Sequence, residues 1–403
     1  MSLLPLEAAL ERLLSDVSPI TDEELVPLRE ATGRVLACDV SALRTQPDFN
    51  ASAMDGYAVR SAQTASPPSV LSVIGESAAG HAFGGRIQDG EAVRIFTGAP
   101  VPDGADAVLI QEDAERLGER QVRVLAVVMP GENVRPAGND FRQGDVLLQR
   151  HARLTPGAVA LGASGGHPRL PALRRPRVAI LATGSELVEP GAPLGPSQIV
   201  ASNSYGLAAL VEANGGEVLD CGIAPDRVGD IRAQIDRALR DGADIFVSIG
   251  GASVGDHDLA AKAFEESGAT LDFWKVAMRP GKPLMAGRLG PMRLLGLPGN
   301  PSSCMVAATL FLRPLLRRLA CLPPIVERTG RLGSGMRANG VRADFVRSML
   351  NPAGDRETPE VLPLDRQDSS LLSIYARAQV LIHRPPHAPP ASPGDACRFV
   401  VLD

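Results

Sequence analysis

Lysine is nearly missing from this chain of 403 residues: of 41 basic side chains only Lys262, Lys275 and Lys282 are lysine, and the rest are arginine. Wherever a lysine persists on that background, its position needs a reason. Cys38, Cys221, Cys304, Cys321 and Cys397 form no CxxC pair and have no histidine at ligand spacing, which argues against a zinc site or a disulfide framework. The six histidines include no HExxH pair, and neither GxxxxGK[ST] nor GxGxxG occurs. An ordinary ATPase, dehydrogenase or zinc hydrolase is therefore disfavoured. No run of about 18 apolar residues is present, so no membrane span is expected. With a net charge of −5 and no long run of one sign, nothing points to nucleic acid or a membrane surface as partner.

What the chain does have is enough apolar material, 44%, to build two to four domains, each with its own core. The opening "MSLLPLEAALERLLSDVSP" is apolar at helical spacing yet carries Glu7, Glu11, Arg12 and Asp16. That fits a packed amphipathic helix better than a signal peptide, and a cytoplasmic location follows. From Gln46 to about Asp145, short β-rich pieces such as "EAVRIFTG" and "DAVLIQE" alternate with Gly, Pro and Asp turns, predicting a small β-barrel or sandwich. From about Arg177 strands and helices alternate, from "RVAILATG" to "ADIFVSIGG", with a hairpin through "KPLMAGRLGPMRLLGL". A doubly wound parallel sheet is the natural reading. Beyond "RRLACLPPIVERTG" the texture returns to β and turn, and "HRPPHAPPASPG" reads as a surface loop.

In an open parallel sheet, ligands bind beyond the carboxyl ends of the strands. Three such ends here are rich in Gly, Ser or Thr: "ATGSEL" at 182–187, "GGASVGDHD" at 250–258 and "LPGNPSS" at 297–303. In the second, glycines let backbone amides approach a ligand while Ser253, Asp256 and Asp258 point outward; Asp258 is either the cap of the next helix or a hard ligand for a divalent cation. The corner Pro298-Gly299-Asn300-Pro301 is either a plain connection or a holder for an oxyanion, formed by the amides that follow it. "WKVAMRPGKP" places Lys275, Arg279 and Lys282 within eight positions, around a turn that is either solvated or reaches an anion. In the β-rich region, "NASAMDGYAVRS" puts Asp55 among small or apolar residues, where a hairpin role is the commoner one.

Taken together, "SAMDGYA", "TGAPVPDGADAV", "TGSEL", "GGASVGDHD", "RPGKP" and "LPGNPSS" resemble, in order and over nearly the whole chain, the molybdopterin molybdenumtransferase family, the MoeA type that includes the gephyrin E domain. The resemblance implies a multidomain α/β plus β chain. A central doubly wound parallel α/β molybdopterin-binding domain spans 177–326, an inserted β domain 46–145, and a C-terminal β-barrel 327–403. An elongated linking domain is made from 1–45, with the N-terminal helix, and 146–176. The implied reaction is Mg²⁺-dependent insertion of molybdate into adenylylated molybdopterin, with release of AMP and formation of the molybdenum cofactor.

Carried over residue by residue, the family's catalytic groups fall on Asp55, Thr97, Asp140, Glu186, Asp226, Asp258 and Lys282, with Asp226 and Asp258 toward Mg²⁺. The groups that bind the pterin or the molybdate fall on Gly250, Gly251, Ser253 and Gly255, on Lys275 and Arg279, on Pro298, Gly299, Asn300 and Pro301, and on Arg347, Ser369 and Ser370. The resemblance further implies a homodimer with a shared active site, and transient contact with other molybdenum-cofactor biosynthesis proteins. Asn50, Ser185 and Arg279 depart from the family's usual Asp, Asp and Lys. Two alternatives stay open: a molybdopterin adenylyltransferase, whose fold is that of the central domain alone, and a non-catalytic dimeric scaffold of the gephyrin type.

Overall fold

A computed structural model describes residues 3–250, 259–352 and 358–402. Its contacts divide the chain into two compact units, Met1–Glu24 with Gly33–Val35 and Leu173–Asp403 in one, and Leu25–Thr32 with Leu36–Ala172 in the other.

The first unit is built on a six-stranded sheet. Its strand order is Glu217–Ala224, Arg177–Thr183, Ile245–Ile249, Met292–Leu297, Met285–Leu289, Thr270–Trp274. The first four strands are parallel, and the last two join antiparallel through the expected hairpin. Central strands such as "IFVSI" and "MRLLGL" are buried at every position because both faces are covered, which is why they are apolar apart from Ser248 and Arg293. Val178, Ile180, Val247 and Leu295 face a core shared with the helices Leu6–Leu14 and Ser202–Ala213 and the long helical run from Pro301. Ala179, Leu181, Phe246 and Leu294 face the helices Val228–Arg240 and Leu259–Glu266 on the other side. The run from Pro301 passes through a π turn at Ala308–Leu312, which ends two residues before Pro314, whose ring supplies no N–H to the helical ladder.

At its C-terminal end this unit carries the expected barrel. Strand Ala343–Leu350 pairs with Glu360–Pro363 and with Val380–Arg384, while Arg328–Leu332 and Ala396–Val401 complete a closed ring of five. The two-residue strand Met278–Arg279 adds to the barrel beside Ala343 and Asp344.

In the second unit, residues 56–124 form one mixed six-stranded sheet in the order Ala107–Ile110, Gly56–Val59, Glu91–Ile95, Ser69–Ser77, Gln121–Val124, Ala114–Arg116. This differs from the barrel or sandwich expected from the strand texture. A single sheet suffices because apolar clusters cover both of its faces, Tyr57, Val59 and Leu109 on one and Ala58, Val93 and Val108 on the other. Val26, Leu36, Val40, Leu148, Leu154 and Leu170 form a separate core, joining two distant segments of chain.

Candidate functional site

In the central sheet, register puts four strand ends side by side: Thr183 opposite Ala224, Ala182 opposite Ile249, and Ile249 opposite Leu297. The connections leave in opposite directions from the strands ending at Thr183 and Ile249, and a crevice opens between them. A cleft of about 880 Å³ lies there, lined by Thr183, Glu186, Asp226, Gly250 and the whole Pro298–Pro301 corner, with Asn203 and Ser370. Gly250 is required in this wall: its φ is +89°, and a Cβ would sit 2.6 Å from the Thr183 carbonyl oxygen. Glu186 and Asp226 are exposed at the ends of neighbouring strands, and among the described residues neither has an ion-pair partner. Lys282, half-buried beside the cleft-lining Pro283, is likewise without an ion pair or a side-chain hydrogen bond among the described residues. Two acids and an ammonium left uncommitted around one cleft suit a polyanion held with a cation.

The corner itself is tied down from two sides. Asn203 donates through Nδ2 to the Gly299 carbonyl at 2.8 Å, which fixes its Oδ1 as an acceptor; that oxygen is buried without a partner among the described residues. Asn300 Nδ2 donates to Ser369 Oγ at 3.2 Å, and the Ser302 amide donates to the Ser369 carbonyl at 2.9 Å. Here the structure corrects the expectation that the Ser302 amide waits for an oxyanion, since a protein carbonyl already takes it. Ser370 donates through both its amide and its hydroxyl to Asp368 Oδ1, at 2.8 and 2.6 Å, and the hydroxyl bond first, then the amide bond, lowers the Asp368 pKa.

Behind that turn, a second cavity of about 480 Å³ in the barrel region is lined by Arg279, Arg337, Asp344, Arg347 and Arg384. Arg347 is 1% exposed; it donates to the Asp368 carbonyl at 3.2 Å, and its Nε is buried without a partner among the described residues. Burial holds its guanidinium below the ordinary arginine value, against the opposing pull of Asp344 and Asp368. Arg279 is paired with Asp344. A nearly buried guanidinium with a spare donor is a place where a small dianion gains more than it loses.

In the second unit, the pairing of Gly56 with Ile95 sets Asp55 beside Thr97. Asp55 Oδ1 accepts from the Thr97 amide at 2.7 Å and from its hydroxyl at 2.8 Å. These bonds, the amide first, lower the Asp55 pKa and keep it a carboxylate. Asp140 is exposed in the turn after strand Val134–Arg135, which pairs with Ala51–Ser52, so the loops carrying Asp140 and Asp55 leave from paired strands.

Similarity to known proteins follows the same division of the chain. The family model for the MoeA N-terminal region (domain I and II) matches residues 4–166, that for a probable molybdopterin binding domain 179–318, and that for the MoeA C-terminal region (domain IV) 329–402. A molybdopterin molybdenumtransferase from Nostoc sp. is 41% identical over 309 residues, covering 75% of this chain and 70% of the relative. Molybdopterin molybdenumtransferase 2 from Mycobacterium tuberculosis is 40% identical over 364 residues, covering 88% and 85%. The chain belongs to the molybdopterin molybdenumtransferase family. The crystal structure of the molybdopterin biosynthesis MoeA protein from Pyrococcus horikoshii superposes with a TM-score of 0.83 at 32% identity, covering 100% of both chains.

Within this transferase family frame, Glu186, Asp226, Gly250, Pro298, Gly299, Asn300, Pro301 and Ser370 line one cleft, and Ser369 touches it through Asn300. Arg279 and Arg347 line the neighbouring cavity instead. Lys275 lines neither, and its ammonium lies over the Trp274 ring at 4.7 Å. Asp55 and Thr97 form a pair of their own in the second unit. Gly251, Ser253, Gly255, Asp256 and Asp258 lie outside the described residues. Sequence reasoning passed over Asn203; its only signal was a polar "SNS" at the start of a helix that follows a strand.

Proposed function

We propose that this chain inserts molybdate into adenylylated molybdopterin, releasing AMP and forming the molybdenum cofactor. The observation that carries the reading is the cleft at the switch point of the parallel sheet, lined by Glu186 and Asp226 with Lys282 next to its lining residue Pro283, none of the three ion-paired among the described residues, within a segment matching a probable molybdopterin binding domain. The adenylyltransferase alternative is disfavoured because the N- and C-terminal family models match as well as the central one. The pterin lies in the cleft against Gly250 and the Pro298–Pro301 corner, with Lys282 at its phosphates. Arg347 draws molybdate into the adjoining cavity, assisted by Arg279, Ser369 and Ser370.

The chemistry balances without a redox step. Two dithiolene S–H groups replace one oxygen of molybdate, which leaves with their protons as water, and molybdenum stays Mo(VI). One water cleaves the phosphoanhydride to the pterin phosphate and AMP. The protein supplies positioning and charge neutralisation rather than a covalent intermediate.

Mg²⁺ fits the donors present: Glu186 and Asp226 are hard oxygen ligands with no ion-pair partner among the described residues, and this ion is commonly held by one or two carboxylates plus substrate phosphates. No group of three metal-ligating side chains stands together among the described residues. When bound, Mg²⁺ would screen the phosphoanhydride charge. Asp226 would hold it, with Asp258. Asp55, oriented by Thr97, and Asp140 act on the same substrate from a second copy of the chain, in a homodimer with shared sites working in the cytoplasm. Among the described residues no helix is long and apolar enough to cross a membrane.

The test is AMP release by the purified chain given adenylylated molybdopterin, molybdate and Mg²⁺. Release that requires molybdate supports the reading, consumption of ATP with unmodified molybdopterin would favour the adenylyltransferase, and no AMP would sink the proposal.

A further inference from the structure

We infer that Arg94 is a positioning residue for Asp55, fastening the three strand ends around that carboxylate without touching substrate; the inference rests on the role for Asp55 proposed above. Arg94 stands opposite Tyr57 in the pairing of strands Gly56–Val59 and Glu91–Ile95. Its Nη1 donates to the Gly56 carbonyl at 3.0 Å and its Nη2 to Gln111 Oε1 at 3.0 Å. The guanidinium lies 5.1 Å from the centroid of the Tyr57 ring and 4.9 Å from that of Phe96.

Each of these partners adjoins or holds the Asp55–Thr97 pair. Gly56 follows Asp55, Phe96 precedes Thr97, and the Gln111 amide donates to the Asp55 carbonyl at 3.1 Å. One planar group therefore fixes the backbone after Asp55, the residue before its hydrogen-bond donor, and the residue bonded to its own carbonyl. The result is that Oδ1 is occupied by Thr97, while Oδ2 has no hydrogen-bond partner among the described residues and is held in a set direction. Lysine could not do this. Its ammonium lacks the flat fork that bonds at two edges while lying against two rings.

The experiment compares Arg94→Gln, Arg94→Lys, Asp55→Ala and the Arg94→Gln/Asp55→Ala double variant in the full chain. Hydrogen–deuterium exchange is followed over peptides covering 52–58 and 94–112. Arg94→Gln should speed exchange in those peptides roughly tenfold and leave strand Ser69–Ser77 unchanged. In AMP release, kcat should fall roughly ten- to a hundredfold with KM for the adenylylated pterin little changed, Arg94→Lys should recover only part, and the double variant should be no slower than Asp55→Ala. Unchanged exchange, full activity in Arg94→Lys, or additive losses in the double variant would overturn the inference. If the unaltered chain releases no AMP, the functional reading fails, and the exchange result still decides whether Arg94 holds the Asp55 loop.

Discussion

Gly250 shows how closely the cleft wall is drawn at the level of one residue. Its positive φ and the 2.6 Å approach of a would-be Cβ to the Thr183 carbonyl leave no room for a side chain, whereas at Gly299 the nearest such contact is the Gly250 Cα at 3.7 Å. Gly250→Ala should therefore lose upwards of about 1 kcal/mol of stability and most of the activity. Gly299→Ala should melt within a degree or two of the unaltered chain. Thermal melts of the two variants side by side check this, and equal losses would mean that the wall is looser than its geometry. The same scale shows where sequence reasoning stops. Asp55 and Thr97 are 42 positions apart, and nothing in their spacing tells that one oxygen takes both donors of the other residue. The family resemblance singled out each residue but not their pairing, and Asn203 was missed because its role depends on the Gly299 carbonyl 96 positions away.

Among the elements, the parallel strands were the most legible. Runs such as "VAILA" and "IFV" are unbroken apolar stretches inside strands that are almost wholly buried because helices cover both sheet faces. The inserted domain was read only in part: short strands separated by turns reveal that a β domain is present but not whether it closes, since closure depends on pairings such as Ser69–Ser77 with Gln121–Val124.

In the barrel, His383 is buried, stacked at 4.8 Å on Phe345, and joined through Nδ1 to Glu327 at 2.7 Å. The hydrogen bond from His383 is the main cause of the lowered Glu327 pKa, with Arg398 adding to it. Because the folded carboxylate is held below its ordinary value, its contribution is complete above the ordinary carboxylate range and fades as pH falls through the folded pKa. Glu327→Gln should lower Tm by a few degrees at pH 7 and by much less near pH 4. A difference that grows on acidification would contradict the assignment.

For the whole molecule, the reading requires two chains for each working site. Asp55→Ala and Lys282→Ala are each expected to keep only a small, measurable residue of activity as homodimers, since each removes a group from every site. After subunit exchange, a hybrid would hold one site missing both groups and one intact site. Mixing equal amounts should recover about a quarter of normal activity, as half of the dimers are hybrids with one working site of two. Exchange demonstrated by mass-tagged subunits without any recovery would count against a shared site.

The central claim, that AMP leaves because molybdate enters, is tested most directly by a single turnover in which AMP and dithiolene-bound molybdenum are counted in the same sample. The account predicts one molybdenum bound for each AMP released, both absent when molybdate is withheld and both reduced together in Arg347→Ala at low molybdate. AMP released at the same rate without molybdate, or AMP without bound molybdenum, would show plain hydrolysis and contradict it.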